Sequence, residues 1–365
     1  MKRFRKPHLI IAAVLMLTSG ALAGCQPSNT TNNNNNGNNG NNGTTYKISD
    51  YYPFTANLKT VYEGQGNEFA SKTEYVDYIK GDKIQIRSDN GGTVSARVLQ
   101  NLNGELVQLN LKDEIYYKQD MTAETAAQNI VLLKEPLKTG TNWTLPDGSK
   151  RSITGTDVSI TTPSGDYKAL EVTTTYADSS VTKDYYVLNK GMVKSVWSQN
   201  GTEVSSSLKE YVTDAAYTSI IRMYNFQVTT TDIQTVYKEI QGSLKTNEEI
   251  KDVFQKNFRQ SLGAGTGTSP VISINTVINS LSVKPDESIA YVDFSGQFVS
   301  EMNAGTTKET GVLRSVVDTI GKYYGVDKVI ITLDGGPYSS GHIYMNPGEY
   351  FTTNYQGEKK VTTAP

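Results

Sequence analysis

Between Tyr46 and Asp214 the chain is cut repeatedly by strong turn signals: Asp89-Asn90-Gly91-Gly92, Asn103-Gly104, Pro146-Asp147-Gly148, Pro163-Ser164-Gly165 and Asn200-Gly201. Such sequences supply positive φ at little cost, and they leave no room for long helices between them. The intervening runs are short, alternating and rich in β-branched and aromatic residues: Asn57 to Glu63, Lys72 to Lys80, Lys83 to Ser88, Thr93 to Gln100, Glu105 to Leu111, Ser152 to Ile160, Tyr167 to Thr175, Val181 to Leu188 and Met192 to Gln199. This pattern predicts an antiparallel meander forming one curled all-β sheet, with a single short helix over Thr122 to Gln128. The chain has 23 tyrosines, and in this region they fall mostly at strand positions, where β propensity accounts for them.

From about Ala215 the signals change. Ser219 to Phe226 reads as a strand. Thr231-Asp232-Ile233-Gln234 has capping-box spacing ahead of Ile233, Val236, Tyr237, Ile240 and Leu244, and Thr246-Asn247-Glu248-Glu249 has it ahead of Ile250, Val253, Phe254, Phe258 and Leu262. Gly263 stops the second of these helices, and the glycines that follow it read as a flexible connection. Val277 to Val283 and Ile289 to Phe294 read as strands. Thr306-Thr307-Lys308-Glu309 opens a further helix with a buried stripe of Leu313, Val316, Val317, Ile320 and Tyr324, closed by Gly325, and Asp327 to Leu333 returns as a strand. The expected order is β-α-α-β-β-α-β, an α+β sandwich with helices on one face of a small sheet.

Several of these residues carry a family resemblance: Tyr291-Val292-Asp293-Phe294-Ser295, Asn303-Ala304-Gly305, Glu309, Thr319-Ile320, Tyr324-Gly325-Val326 and Val329-Ile330-Ile331-Thr332-Leu333-Asp334-Gly335. Together they resemble the GerM domain. That resemblance implies a non-enzymatic domain of ring-building type, found in envelope lipoproteins and associated with sporulation, germination and assembly of envelope complexes. It singles out Asp293, Ser295, Glu309, Asp334 and Gly335, for which the residues themselves suggest structural roles. Asp293 ends a strand, Glu309 has the spacing to reach back to the Thr306 backbone, and Asp334-Gly335 marks a strand-to-turn boundary. The earlier region resembles, more loosely, a β-domain recurrent in secreted and lipoprotein chains, through Tyr51-Tyr52-Pro53, Gly140-Thr141-Asn142-Trp143, Thr162 to Tyr167, Tyr185-Tyr186 and Gly191-Met192-Val193.

The only cysteine, Cys25, closes Leu22-Ala23-Gly24-Cys25 behind a basic segment (Lys2, Arg3, Arg5, Lys6) and an apolar stretch from Leu9 to Leu17. The stretch is too short for a mature membrane span. The arrangement resembles the bacterial lipobox, which implies cleavage before Cys25 and a diacylglyceryl group on its sulfur. Two or more acyl chains hold a protein on a membrane for long periods. Asn29 to Thr45 is nearly pure Asn, Gly and Thr, a tether of about twenty residues with a root-mean-square reach of roughly 25 Å. The expected organisation is a signal peptide over 1–25, a tether over 26–45, a β-rich domain over 46–214, a GerM-like domain over 215–355 and a loose tail over 356–365.

Charge and composition exclude much else. The first 25 residues hold four of the 35 Lys and Arg and none of the 37 Asp and Glu, which leaves 31 against 37, a formal charge near −6 after cleavage. Nucleic acid is disfavoured, because phosphate neutralisation needs clustered Lys and Arg. With Cys25 lipidated and His8 cleaved away, no thiol nucleophile or disulfide remains, and His342 is the last histidine, read as structural or merely exposed. No cofactor and no metal are expected, and three scattered carboxylates make no calcium loop. The expectation is an extracytoplasmic, membrane-anchored binding or assembly module on the outer face of the cytoplasmic membrane. Its partner would be an envelope protein complex or peptidoglycan, with self-association through sheet edges also open. Two alternatives stay open: a cell-wall hydrolase using Asp293, Glu309 and Asp334, with two carboxylates about 5 to 9 Å apart, and a lipid or small-ligand carrier with an open apolar cavity in the β-domain.

Overall fold

The computed structural model describes residues 45–229 and 232–362. Cys25, its lipobox and nearly all of the tether lie outside the described residues. The first described helix is the single turn α1 (Ile48–Tyr51), and twelve strands follow. They are β1 (Lys59–Gln65), β2 (Lys72–Lys80), β3 (Lys83–Asp89), β4 (Val94–Leu102), β5 (Glu105–Lys112), β6 (Ile130–Lys134), β7 (Asn142–Thr144), β8 (Lys150–Thr162), β9 (Gly165–Thr175), β10 (Val181–Val187), β11 (Gly191–Gln199) and β12 (Thr202–Val212). They form one antiparallel sheet in the order β6-β5-β4-β3-β2-β1-β12-β11-β10-β9-β8-β7. Two meanders thus meet where β12 returns to β1, from Lys59 opposite Val212 to Gln65 opposite Ser205. The sheet curls until its outer strands approach each other: the Trp143 indole N–H and the Arg151 guanidinium both donate to the Val131 carbonyl, at 3.0 and 3.1 Å.

Alternation decides what goes inside. Along β10, Thr182, Asp184 and Tyr186 face in, while Lys183 and Tyr185 face out. The inner side is filled by Leu58, Tyr62, Ile84, Leu99, Leu106, Leu133, Trp143, Leu170, Tyr186 and their neighbours, and α1 adds Ile48, Tyr51 and the adjacent Tyr52. The curled sheet has a packed core where a carrier would need an open apolar cavity. Thr122 to Gln128, expected as a helix, is turn and extended chain. The backbone N–H groups of Ala127 and Gln128 donate to the Leu109 carbonyl, so the segment binds the sheet instead of itself.

The C-terminal part contains β13 (Tyr217–Val228), β14 (Ile233–Leu244), α2 (Ile250–Phe258), β15 (Ile278–Lys284), β16 (Ile289–Phe294), α3 (Gln297–Ser300), α4 (Thr306–Tyr324), β17 (Lys328–Leu333), β18 (Gly336–Pro337), β19 (Phe351–Thr352) and β20 (Lys359–Lys360). One small sheet runs β13-β14-β20 and another β15-β16-β17-β18, with β19 on β17. The segment expected as the first helix is β14. Its Ile, Thr and Val residues favour extended chain, and β13 offers an unbroken ladder from Tyr217–Leu244 to Val228–Ile233. The residue read as part of a helix cap serves the hairpin turn, where Asp232 accepts from the Thr229 and Ile233 N–H groups. Tertiary pairing overrides the helical spacing.

Helix α4 matches its expected stripe, with Leu313, Val316, Val317, Ile320 and Tyr324 buried and Gly325 at φ 69° donating its N–H to Gly321 O. Gly311 is required by a close approach, since a Cβ there would stand 2.7 Å from the Phe226 ring. The chain over 356–362 is seated, not loose. Glu358 pairs with Arg222 at 2.8 Å, and β20 adds to β14 in parallel.

The two parts share a core. Ala96, Val98, Ile115, Tyr117 and Met121 pack in one apolar cluster with Phe254, Phe258, Val316 and Ile320. At the same junction the Arg87 guanidinium donates to Asp77 Oδ2 (2.9 Å) and to the Ile115 and Tyr117 carbonyls (2.5 and 2.6 Å), and it lies 4.6 Å from the Tyr217 ring centre. Asn57, Thr246 and Asn247 add backbone contacts across the boundary. Among the described residues no helix is long and apolar enough to cross a membrane.

Candidate functional site

The GerM-type motif residues gather where β16 and β17 give way to loops. These strands are parallel, with Asp293 opposite Thr332 and Phe294 opposite Leu333, so the chain leaves both at one end of the sheet. Asp293 Oδ1 accepts from the Thr332 hydroxyl (2.5 Å) and the Gly335 N–H (2.8 Å), and Oδ2 accepts from Asn279 Nδ2 (2.8 Å). Asn279 also donates to Asp334 Oδ1 at 3.4 Å, and Asp334 Oδ2 accepts the Gly296 N–H at 2.9 Å. Ser295 Oγ accepts the Val277 N–H, while the Ser295 N–H donates to Val277 O. The cluster pins β15, β16 and the turn after β17 to one another. Asp334 takes φ 48° and Gly335 φ 82°, the left-handed pair that the Asp-Gly sequence favours.

Glu309 behaves differently from its expected cap. The N-cap of α4 is Gly305, without a side-chain cap bond, and Glu309 is only 2% exposed. Its oxygens serve the loop after β18: the Tyr338 hydroxyl donates to Oε1 at 2.7 Å, and His342 Nδ1 lies 2.9 Å from Oε2. Burial turns this carboxylate inward, away from the Thr306 backbone. Asn279, Thr332, Tyr338 and His342 were not singled out by sequence as partners of these carboxylates. They stand between 14 and 39 positions away along the chain, beyond any local spacing rule.

The electrostatics follow from this bonding. Burial pushes the Asp293 carboxyl up, but hydrogen bonds from Thr332, Asn279 and the Gly335 N–H outweigh it and hold the group below its ordinary value. Burial likewise raises Glu309, and hydrogen bonds from Ser340, Tyr338 and His342 bring it below the usual carboxylate range. The carboxyls that burial does raise lie elsewhere. Asp184 is held inside the curled sheet beside Ser195 and Arg151. Asp318 is pushed up to about 6 on α4, beneath the Asn354 N–H and Arg314. Both are essentially unexposed. Among the described residues no group of three or more His, Cys, Asp or Glu is placed to hold a metal.

A general acid for glycan cleavage needs a raised pKa and contact with the substrate. Here Asp293 and the buried Glu309 are lowered and committed to hydrogen bonds, and the raised Asp184 and Asp318 are sealed. The arrangement braces the strand ends and the loop after β18.

No curated protein matches the chain. Among solved structures, tandem GerMN domains of the sporulation protein GerM from Bacillus subtilis share 17% identity over 38% of this chain and 46% of that one, with a TM-score of 0.27. This chain therefore spans less than half of that structure. The first GerMN domain of the same protein shares 19% identity over 31% of this chain and 86% of that one, with a TM-score of 0.23. A protein described as exported, with a YmcC-like fold, from Bacteroides fragilis shares 12% identity over 44% of this chain and 98% of that one, at a TM-score of 0.30. Residues 193–339 match the Germane family, described as sporulation and spore germination, which supports a GerM-related domain in this part of the chain.

Proposed function

We propose that the protein is a lipid-anchored binding module of the bacterial envelope, working without catalysis in an envelope assembly of the sporulation or germination type. In this reading Cys25 carries the anchor, the segment after it spaces the folded part from the membrane, and the folded part engages peptidoglycan or an envelope protein complex. The observation that carries the non-catalytic reading is the split among the carboxylates: the motif carboxylates Asp293 and Glu309 are held ionised by three hydrogen-bond donors each, and Asp184 and Asp318, with raised affinity for protons, are buried. Binding surfaces need this kind of rigidity, whereas acid catalysis needs the opposite assignment.

Cosedimentation tests the reading. Residues 46–365, which include every described element, should pellet with purified peptidoglycan, or failing that with an envelope protein recovered by crosslinking in membranes of the host. Failure of both would remove the binding function. Replacing Cys25 by Ser in the full chain should release the protein from the membrane fraction; retention would contradict the anchor.

A further inference from the structure

The outer face of the curled sheet holds a groove of about 470 Å³ that the proposed function leaves unused. It is made by the β8–β9 hairpin. Pairing between these strands skips at Gly155, from Ile153–Val172 to Gly155–Glu171 to Val158–Ala169, so the arm bends there. Its tip reaches past β10 and β11, and the Ser164 N–H donates to Leu208 O at 3.0 Å, just beyond the last β11–β12 pair at Lys194–Ser207. The groove lies between Ile160 and Thr161 of the arm and a floor of Tyr185, Lys194, Val196 and Glu203 from β10, β11 and β12.

Its lining selects the ligand. Tyr185 bonds to Glu171, which also accepts from the Thr154 hydroxyl (2.6 Å) and from Lys183 (3.3 Å), so the ring is anchored in one orientation. Lys194 and Glu203 make no ion pair among the described residues, and the hydroxyls of Ser159, Thr161 and Ser198 complete the wall. A lipid tail finds too many polar groups there, and a polyanion meets Glu203 and a lysine already neutralised by Glu171. A sugar suits it: hydroxyl groups for the hydroxyls and charges, and a C–H face for the fixed tyrosine ring. The volume lies within the range of about 300–1,000 Å³ usual for small-ligand sites.

We propose that this groove binds a short segment of saccharide chain, with Tyr185 as the stacking surface and Lys194 and Glu203 as the polar contacts at either side. The inference rests on the reading of the protein as an envelope binding module, and it names the ligand class and the place.

Isothermal titration of residues 46–365 with a tetramer of N-acetylglucosamine, and separately with a glucose tetramer, tests it. Binding of the N-acetylated tetramer, weakened at least tenfold by Tyr185→Ala and by Ser198→Trp, which places a bulky ring in the groove wall, is the expected result. Binding of both sugars with the same sensitivity supports a general saccharide site; binding of the N-acetylated sugar alone assigns it to wall-type glycan. No binding of either sugar, or binding indifferent to both substitutions while thermal melts show both variants folded, overturns the groove. Pelleting with peptidoglycan that persists in Tyr185→Ala and Ser198→Trp would leave the wall-binding function intact and place it elsewhere. Loss of pelleting in Asp293→Asn with sugar binding retained would separate the two sites the other way.

Discussion

In the curled sheet, charged side chains point to the inside, among them Lys72, Glu74, Arg97, Arg151 and Asp184. Lys72 and Arg97 both pair with Glu74, at 2.7 and 2.9 Å, and Asp184 accepts from Ser195 at 2.7 Å. The C-terminal part leans on apolar packing: its interior is Phe254, Phe294, Phe298, Val316 and Ile320, Asp293 and Asp334 stand where strands become loops, and Glu309 and Asp318 are carboxylates buried on α4. The difference follows from architecture. A one-residue slip of any strand in a twelve-stranded sheet exchanges its two faces, and alternation alone penalises that weakly when the outer face also carries Val196 and Tyr185. Buried charge pairs sharpen the penalty, because a slipped partner strands an unpaired charge. Helix α4 is seated chiefly by its wide apolar stripe, which already fixes how a helix sits on a sheet.

The sharpest way to break this contrast is at the junction of the two parts. Asp77→Ala leaves the buried Arg87 without its carboxylate, and the expected loss is about 3–5 kcal/mol in urea denaturation. Because the apolar cluster is shared, the variant and the parent should each unfold in one transition by both far-UV dichroism and tyrosine fluorescence. Separate transitions would show that the two parts are independent.

The next effect is in pH dependence. Burial lifts Asp318 from 3.8 to about 6, against the Asn354 N–H and Arg314, so the folded protein holds this proton more tightly than the unfolded chain. Its favourable contribution is present below about pH 4 and lost as pH rises through about 6, amounting to roughly 3 kcal/mol at most. Glu309, which is lowered in the folded state, runs the other way: its contribution is present above the unfolded carboxylate range and is lost on acidification. Melting curves from pH 4 to 8 should therefore flatten in Asp318→Asn and lose part of their acid slope in Glu309→Gln. Equal profiles for the two variants would contradict the assignment.

Gly311→Ala should cost about 1–3 kcal/mol, because the new methyl meets the Phe226 ring and either the ring or α4 must shift. The smallest effect is expected for Glu309→Gln at neutral pH, about 1–2 kcal/mol, since the amide keeps the Tyr338 contact and loses only the charge-assisted part.

The same contrast explains what was legible in the sequence. The turn signals placed most strands of the curled sheet, since each turn is a local event, but β12 and its return to β1 depend on residues about 150 positions apart. Helices α2 and α4 were legible because each apolar stripe lies within one segment, although neither expected capping box forms: their N-caps are Glu249 and Gly305 without side-chain bonds, and α2 ends at Phe258, short of Gly263. The segment over Ile233–Leu244 satisfied a helical spacing as well, and only the presence of β13 decides for a strand. At the motif, sequence placed Asp334-Gly335 at its turn correctly, whereas Glu309 was assigned to a backbone it does not touch. Burial of a carboxylate is set by what packs over it, in this case Tyr338 and His342, and spacing carries no trace of that.

Muropeptide release is the measurement that bears most directly on the non-catalytic account. Incubated with purified peptidoglycan, residues 46–365 should release nothing above a heat-inactivated control, with or without Asp293→Asn and Glu309→Gln. Release by the parent protein that either substitution abolishes while the fold persists would make these carboxylates catalytic and contradict the account.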